Sequence, residues 1–256
     1  MERLDCAYLI NTTPKYFYLL PLHIALLQRY APTMAWPIYL AIEEEALPKL
    51  SSIPRQVIIL TLPNSASGFL ESRAVATKML PESIKYVFPI QEDFLLQGRP
   101  MEKEIAHALS ILDEDSRVLS VRLMPCPGPK GDDYKSLKIL DFDIDGLVFT
   151  YQATLWKRTP YQLFMNTLLH SLEGKTQAQK NHAGIKVNIA EISQGQRMLY
   201  ELFPQGLHLA FPRSYPHPNA VYLCPWPYRP TAVVRGHLEQ WAIEFAQREG
   251  FPLQDI

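Results

Sequence analysis

Short apolar runs alternate with helix-length segments through the first half of the chain. Runs at Cys6–Asn11, 37–42, 56–62 and Tyr86–Ile90 have the length and β-branched or aromatic content of buried strands. A helix is expected over 16–30, stopped by Ala31 and Pro32. A second is expected over 69–80, where Phe69, Leu70, Ala74, Thr77 and Leu80 share a face. A further helix over 103–112 and a strand over 117–123 continue the rhythm. This alternation predicts an α/β domain with a mainly parallel sheet.

After Met124 the rhythm changes. Residues 125–133 are rich in proline, glycine and aspartate and predict a loop. Strands are then expected over 137–142 and 147–155, and helices over 161–172 and 187–202 with a polar loop, 173–184, between them. Residues 204–230 read as irregular, and 235–250 as a closing helix that buries Leu238, Trp241, Ala242 and Phe245. With 256 residues, no internal repeat and no low-complexity tract, a single domain is expected across 1–256.

Composition removes several function classes. A formal net charge of -1 with no long basic run argues against nucleic acid as a partner. The longest apolar segment, 16–27, is interrupted by Pro21 and His23 and is too short to span a bilayer. The first residues lack the pattern of a signal peptide, and three scattered cysteines form neither a metal-type spacing nor a disulfide framework. A reduced, cytoplasmic protein is expected.

The chemistry concentrates where the run Tyr86–Ile90 ends in Glu92 and Asp93. A buried strand ending in acids carries them to its C-terminal rim, where open α/β sheets bind ligands. Carboxylates there suit a hard divalent cation facing a diphosphate. The competing reading is that the two acids cap the next turn.

Several segments resemble, in order, small GT-A-type glycosyltransferases of polysaccharide and viral glycan pathways. They are the Glu-Asp-Phe-Leu-Leu stretch at 92–96, Tyr-Gln-Ala-Thr-Leu-Trp-Lys at 151–157, Val-Asn-Ile-Ala-Glu at 187–191, and Val-Val-Arg-Gly-His at 233–237. The resemblance implies a GT-A-like three-layer α/β/α sandwich, with 1–124 binding a nucleotide-diphospho-sugar and 125–256 binding a glycan or other hydroxyl acceptor. It implies a metal-assisted, inverting hexosyl- or pentosyltransferase using Mn²⁺ or Mg²⁺. Asp93 would hold the metal, with His237 as a late ligand. Thr12, Thr13, Arg73 and Glu92 would line the donor site, Gln152 and Trp156 the acceptor site, and Glu191 would act as general base. Gln91 stands where a full Asp-x-Asp motif has its first acid.

Two rival readings follow from the residues. Asp141, Asp143 and Asp145 with Gly146 match the first half of an EF-hand loop, although position twelve is Gln152. That predicts a calcium-binding module, or an alternative metal site with Asp-x-Asp spacing. The place of Gln91 favours the other rival, a catalytically degenerate transferase fold that only binds.

Overall fold

A computed structural model describes residues 3–50, 56–66, 68–124, 128–173, 190–191, 193–212, 224–229, 231–251 and 253. In chain order the first half contributes β1 (Cys6–Asn11), α1 (Leu20–Tyr30), β2 (Ile38–Glu43), β3 (Val57–Leu62), α2 (Phe69–Met79), β4 (Tyr86–Ile90), β5 (Leu95–Leu96), α3 (Glu102–Glu114) and β6 (Val118–Arg122). The second contributes β7 (Asp133–Tyr134), β8 (Leu137–Ile139), α4 (Phe142–Asp145), β9 (Thr154–Lys157), α5 (Arg158–His170), α6 (Ser193–Leu202), β10 (Leu207–Ala210), β11 (Tyr228–Arg229), β12 (Val233–Val234), β13 (His237–Leu238) and α7 (Gln240–Arg248).

The pleat explains why β4, and β1 up to Ile10, are apolar throughout. Successive side chains point to opposite faces, and both faces are covered. Cys6, Tyr8 and Ile10 of β1 enter one core with Tyr86, Phe88 and Ile90 of β4, under α1, α3 and α7. Ala7, Leu9 and Val87 enter the other, under α2, α5 and α6. The sheet between them has nine strands in the order β3-β2-β1-β4-β9-β6-β10-β8-β7. Only β9 and β8 run against the other strands of that sheet. This is a three-layer α/β/α sandwich with a mainly parallel sheet.

Several second-half expectations need correction. The strand expected over 147–155 shrinks to β9, because Leu147–Ala153 forms an irregular arm instead. Residues 137–142 yield only β8, since Asp141 starts the short helix α4. The stretch 204–230 is not wholly irregular: Leu207–Ala210 slots in as β10, parallel to β6. The closing helix begins at Gln240, because Val233–Leu238 folds as the β12–β13 hairpin. The helix over 187–202 is seen as α6, with 187–189 and 192 outside the described residues, as are Cys126 and most of 173–184. Among the described residues no helix is long and apolar enough to cross a membrane.

Candidate functional site

Strands β1 and β4 are parallel neighbours, but β1 leads toward β2 on one side while β4 opens the other half of the sheet. This is a topological switch point, where the connections diverge and leave a crevice at the strand C-termini. A cleft of about 130 Å³ lies there, lined by Asn11, Thr12 and Thr13 after β1, by Gln91 and Glu92 after β4, and by the first turns of α2.

The turn after β4 presents its acids unequally. Glu92 is 6% exposed and accepts a hydrogen bond from the Thr12 hydroxyl at 3.2 Å. Burial, then repulsion from Asp93, pushes its carboxyl up to about 8. Asp93 is less enclosed. Burial raises it to about 6, against the pull of the Val233 N–H and the Arg73 charge. The Asp93 carbonyl also accepts from Ala232 N–H at 2.9 Å, so the β12–β13 hairpin is fastened to the acidic turn. His237 lies on that hairpin, exposed.

Arg73 projects from α2 and is buried, at 5% exposure. Its guanidinium donates to the Phe69 carbonyl at 2.9 Å and lies 3.5 Å from the centre of the Phe69 ring. The cation–π contact and the helix carbonyl hold the charge in place, and Arg73 forms no ion pair with a carboxylate among the described residues. Thr13 occupies the cap position of the 3-10 turn Pro14–Leu19, but its side chain makes no capping bond. Its hydroxyl is left exposed at the cleft.

Glu191 is tied to the 147–153 arm. Its carboxylate accepts the Tyr151 N–H at 2.9 Å, and burial raises its pKa. The Tyr151 ring meets Phe69 edge-on at 5.0 Å and stands 5.3 Å from Arg73. Tyr151, Phe69 and Tyr228 are site residues that the sequence reading missed. Tyr228 donates to the Gln152 amide oxygen and accepts from Ala153 N–H at 3.1 Å, joining the 147–153 arm to β11, which pairs with β5 just after Asp93. Only the aromatic density around Trp226 and Tyr228 hints at this from sequence.

Trp156 is not a sugar platform. It is 1% exposed at the centre of β9, packed against Phe149, Tyr161 and His208. Gln152 precedes β9, so the two side chains do not share a strand face. The calcium loop is also not formed. Asp141 accepts from Asp143 N–H and Ile144 N–H as the cap of α4. Asp145 accepts from Lys130 N–H and Asp141 N–H. Backbone donors occupy both oxygens of Asp145 and one of Asp141, and no three metal-ligating side chains converge among the described residues.

No protein-family model and no curated protein sequence matches the chain. Solved structures resemble it at low similarity. A 4-diphosphocytidyl-2C-methyl-D-erythritol synthase from Anaerococcus prevotii is 13% identical, covering 78% of this chain and 84% of its own, with a TM-score of 0.42. The galactosyltransferase LgtC, in complex with donor and acceptor sugar analogs, is 10% identical over 80% of this chain and 72% of its own, at 0.44. The apo glycosyltransferase GlyE of Streptococcus pneumoniae is 11% identical over 82% of this chain at 0.42, and this chain spans 45% of its length. Similarities of this size assign no function to the chain.

Proposed function

We propose that the chain is a glycosyltransferase that moves a hexosyl or pentosyl group from a nucleotide-diphospho-sugar to a glycan or other hydroxyl. One observation carries this reading: a buried cation, Arg73, and the desolvated carboxylate of Glu92 line the cleft at the switch point between β1 and β4, and the charge of Arg73 also acts on Asp93, the next residue in the chain. Anionic ligands with a bound divalent ion are what such a mixed site accommodates.

The leaving nucleoside diphosphate gains negative charge as the sugar departs, and fixed positive charge stabilises it. Arg73 supplies that charge, already desolvated and oriented. Thr12, Thr13 and the exposed backbone after β1 bind the nucleoside. The donor set suits Mg²⁺ or Mn²⁺, which take one or two carboxylates plus phosphate and water rather than a protein cage. Asp93 is the ligand in this reading, and Glu92 supports it. His237, on the hairpin fastened to Asp93, is a further candidate ligand. When bound, the ion neutralises charge on the diphosphate. Glu191 accepts the proton of the acceptor hydroxyl, which implies inversion at the anomeric carbon. Burial already raises its basicity, and its second oxygen is not committed to Tyr151. Gln152, held by Tyr228, faces the acceptor. Cys6 is a buried free thiol, in keeping with a reducing, cytoplasmic setting.

A thermal-shift series with UDP, GDP, CDP and ADP, with and without Mn²⁺, tests the reading. A ligand that binds only the native state raises the melting temperature, and one nucleotide should do so more strongly with Mn²⁺. No shift with any of them would sink the proposal. Glu92, held protonated near neutral pH, and Gln91 favour the second reading, a degenerate fold that binds without turnover. Mn²⁺-dependent hydrolysis of the donor sugar would exclude it.

A further inference from the structure

A second cavity, of about 240 Å³, lies among α4, α6, β8 and the start of β10, and shares no lining residue with the cleft among the described residues. His208 forms part of its wall and is 6% exposed. The imidazole Nδ1 pairs with the Ser120 hydroxyl at 2.8 Å. The other ring nitrogen, Nε2, has no hydrogen-bond partner among the described residues. Burial pulls the ring down to about 3, so it is a neutral hydrogen-bonding group above that pH. At the mouth, Tyr200 stacks on Phe142, with ring centres 5.8 Å apart, and stays 55% exposed. Among the described residues the Asp143 carboxylate makes no hydrogen bond, and Asp141 caps α4 through Oδ1 alone. Gln196 is also spent. It accepts from Val148 N–H and Phe149 N–H and donates to the carbonyls of Phe149 and Ala190.

This chemistry selects the ligand. No lysine or arginine lines the cavity among the described residues, so a phosphate or carboxylate finds no counter-charge. No three metal-ligating side chains converge here among the described residues, and with no lysine or arginine the cavity does not attract the phosphate that completes a carboxylate-bound Mg²⁺. An aromatic face, a carboxylate and a neutral imidazole together suit a ring with C–H faces and hydroxyl edges. The volume is below the roughly 300–1,000 Å³ of drug-sized sites and suits one ring. Val148 lines this cavity, and Tyr151, three residues on, stands against Phe69 and Arg73 of the cleft. Three residues span at most about 11 Å, within reach of a short oligosaccharide.

We infer that this cavity is a saccharide subsite that holds one neutral sugar residue of an oligosaccharide acceptor, away from its reacting end. The acceptor role rests on the transferase reading, whereas the sugar site itself stands without it.

The test is titration of the full chain with methyl α-glucopyranoside, methyl β-galactopyranoside and methyl α-mannopyranoside, with glucose 6-phosphate as the charged control, followed by saturation-transfer NMR. At least one neutral glycoside should bind saturably and more tightly than the phosphate. Tyr200→Ala and Asp143→Asn should each weaken it about fivefold, the loss of one ring contact or hydrogen bond. His208→Gln, which keeps a polar group at the wall, gives an independent check and should also weaken it. No saturable binding by natively folded chain overturns the subsite, and so does binding untouched by all three substitutions. Sugar binding without any nucleotide-induced thermal shift keeps the subsite and removes the transferase reading. A nucleotide shift without sugar binding does the reverse.

Discussion

Asp93 and Glu92 are adjacent in the chain and differ in what surrounds them. Glu92 is sealed against Thr12, while Asp93 is only half-buried and is fastened through its backbone to Ala232. Asp93→Asn preserves shape and removes the charge. It should weaken Mn²⁺-dependent nucleotide binding by about 1–3 kcal/mol, the value of one charge-assisted contact, as measured by calorimetry. Unchanged affinity in that variant would remove Asp93 from the donor site. Glu191 makes a second residue-scale test, because it has a structural partner in Tyr151 N–H. Glu191→Gln can still offer that amide an oxygen but cannot take a proton. Turnover should fall by roughly 10²–10⁴-fold, the usual contribution of a positioned base, with the melting temperature and donor affinity retained. If Gln restores full activity while Ala unfolds the arm, Glu191 is a hook for Tyr151 and nothing more.

At the scale of elements, legibility followed the range of the interactions. Strands β1 and β4 are buried on both faces, so their burial is written as uninterrupted apolar runs and the acidic end of β4 could be located from sequence. The expected bounds of β9 shift because its ends are set by partners distant in sequence, Arg122 of β6 opposite Thr154 and Tyr86 of β4 opposite Lys157. The same non-local placement buried Trp156, which in isolation reads as a sugar platform. Strand β10 is four residues long, too short for periodicity to show. The β12–β13 hairpin did carry a local signal. Arg235 and Gly236 have φ of 53° and 87°, as a two-residue primed turn requires, and paired valines precede them. Gly236→Ala puts a side chain into left-handed backbone, which costs about 1–2 kcal/mol, and aims its Cβ at 2.8 Å from Lys15 Nζ, a flexible neighbour that can move aside. Urea denaturation should show a loss of that size. Because the hairpin is fastened to Asp93, nucleotide affinity should fall as well; intact affinity would show that the hairpin takes no part in the site.

At the scale of the whole molecule, one buried group ties stability to pH. His208 sits between Ser120, the Trp156 ring and the cavity that Asp141 and Asp143 also line. Desolvation lowers its pKa from 6.5 to about 3 in the folded chain. The unfolded chain therefore binds a proton near pH 6.5 that the folded chain refuses until about pH 3. Above pH 6.5 neither state is charged at this position, so it adds no pH dependence. Between 6.5 and 3 each drop in pH favours the unfolded state, and stability falls with acid. From pH 7 to pH 5 the loss assigned to this residue is about 2 kcal/mol. Glutamine does not titrate. His208→Gln should therefore narrow the difference between the stabilities measured by urea denaturation at pH 7 and pH 5 by about that amount, whatever it does to stability at pH 7 itself. An undiminished difference would mean that the His208 ring takes up its proton in the folded state, with Asp143 close enough across the cavity to hold the charge.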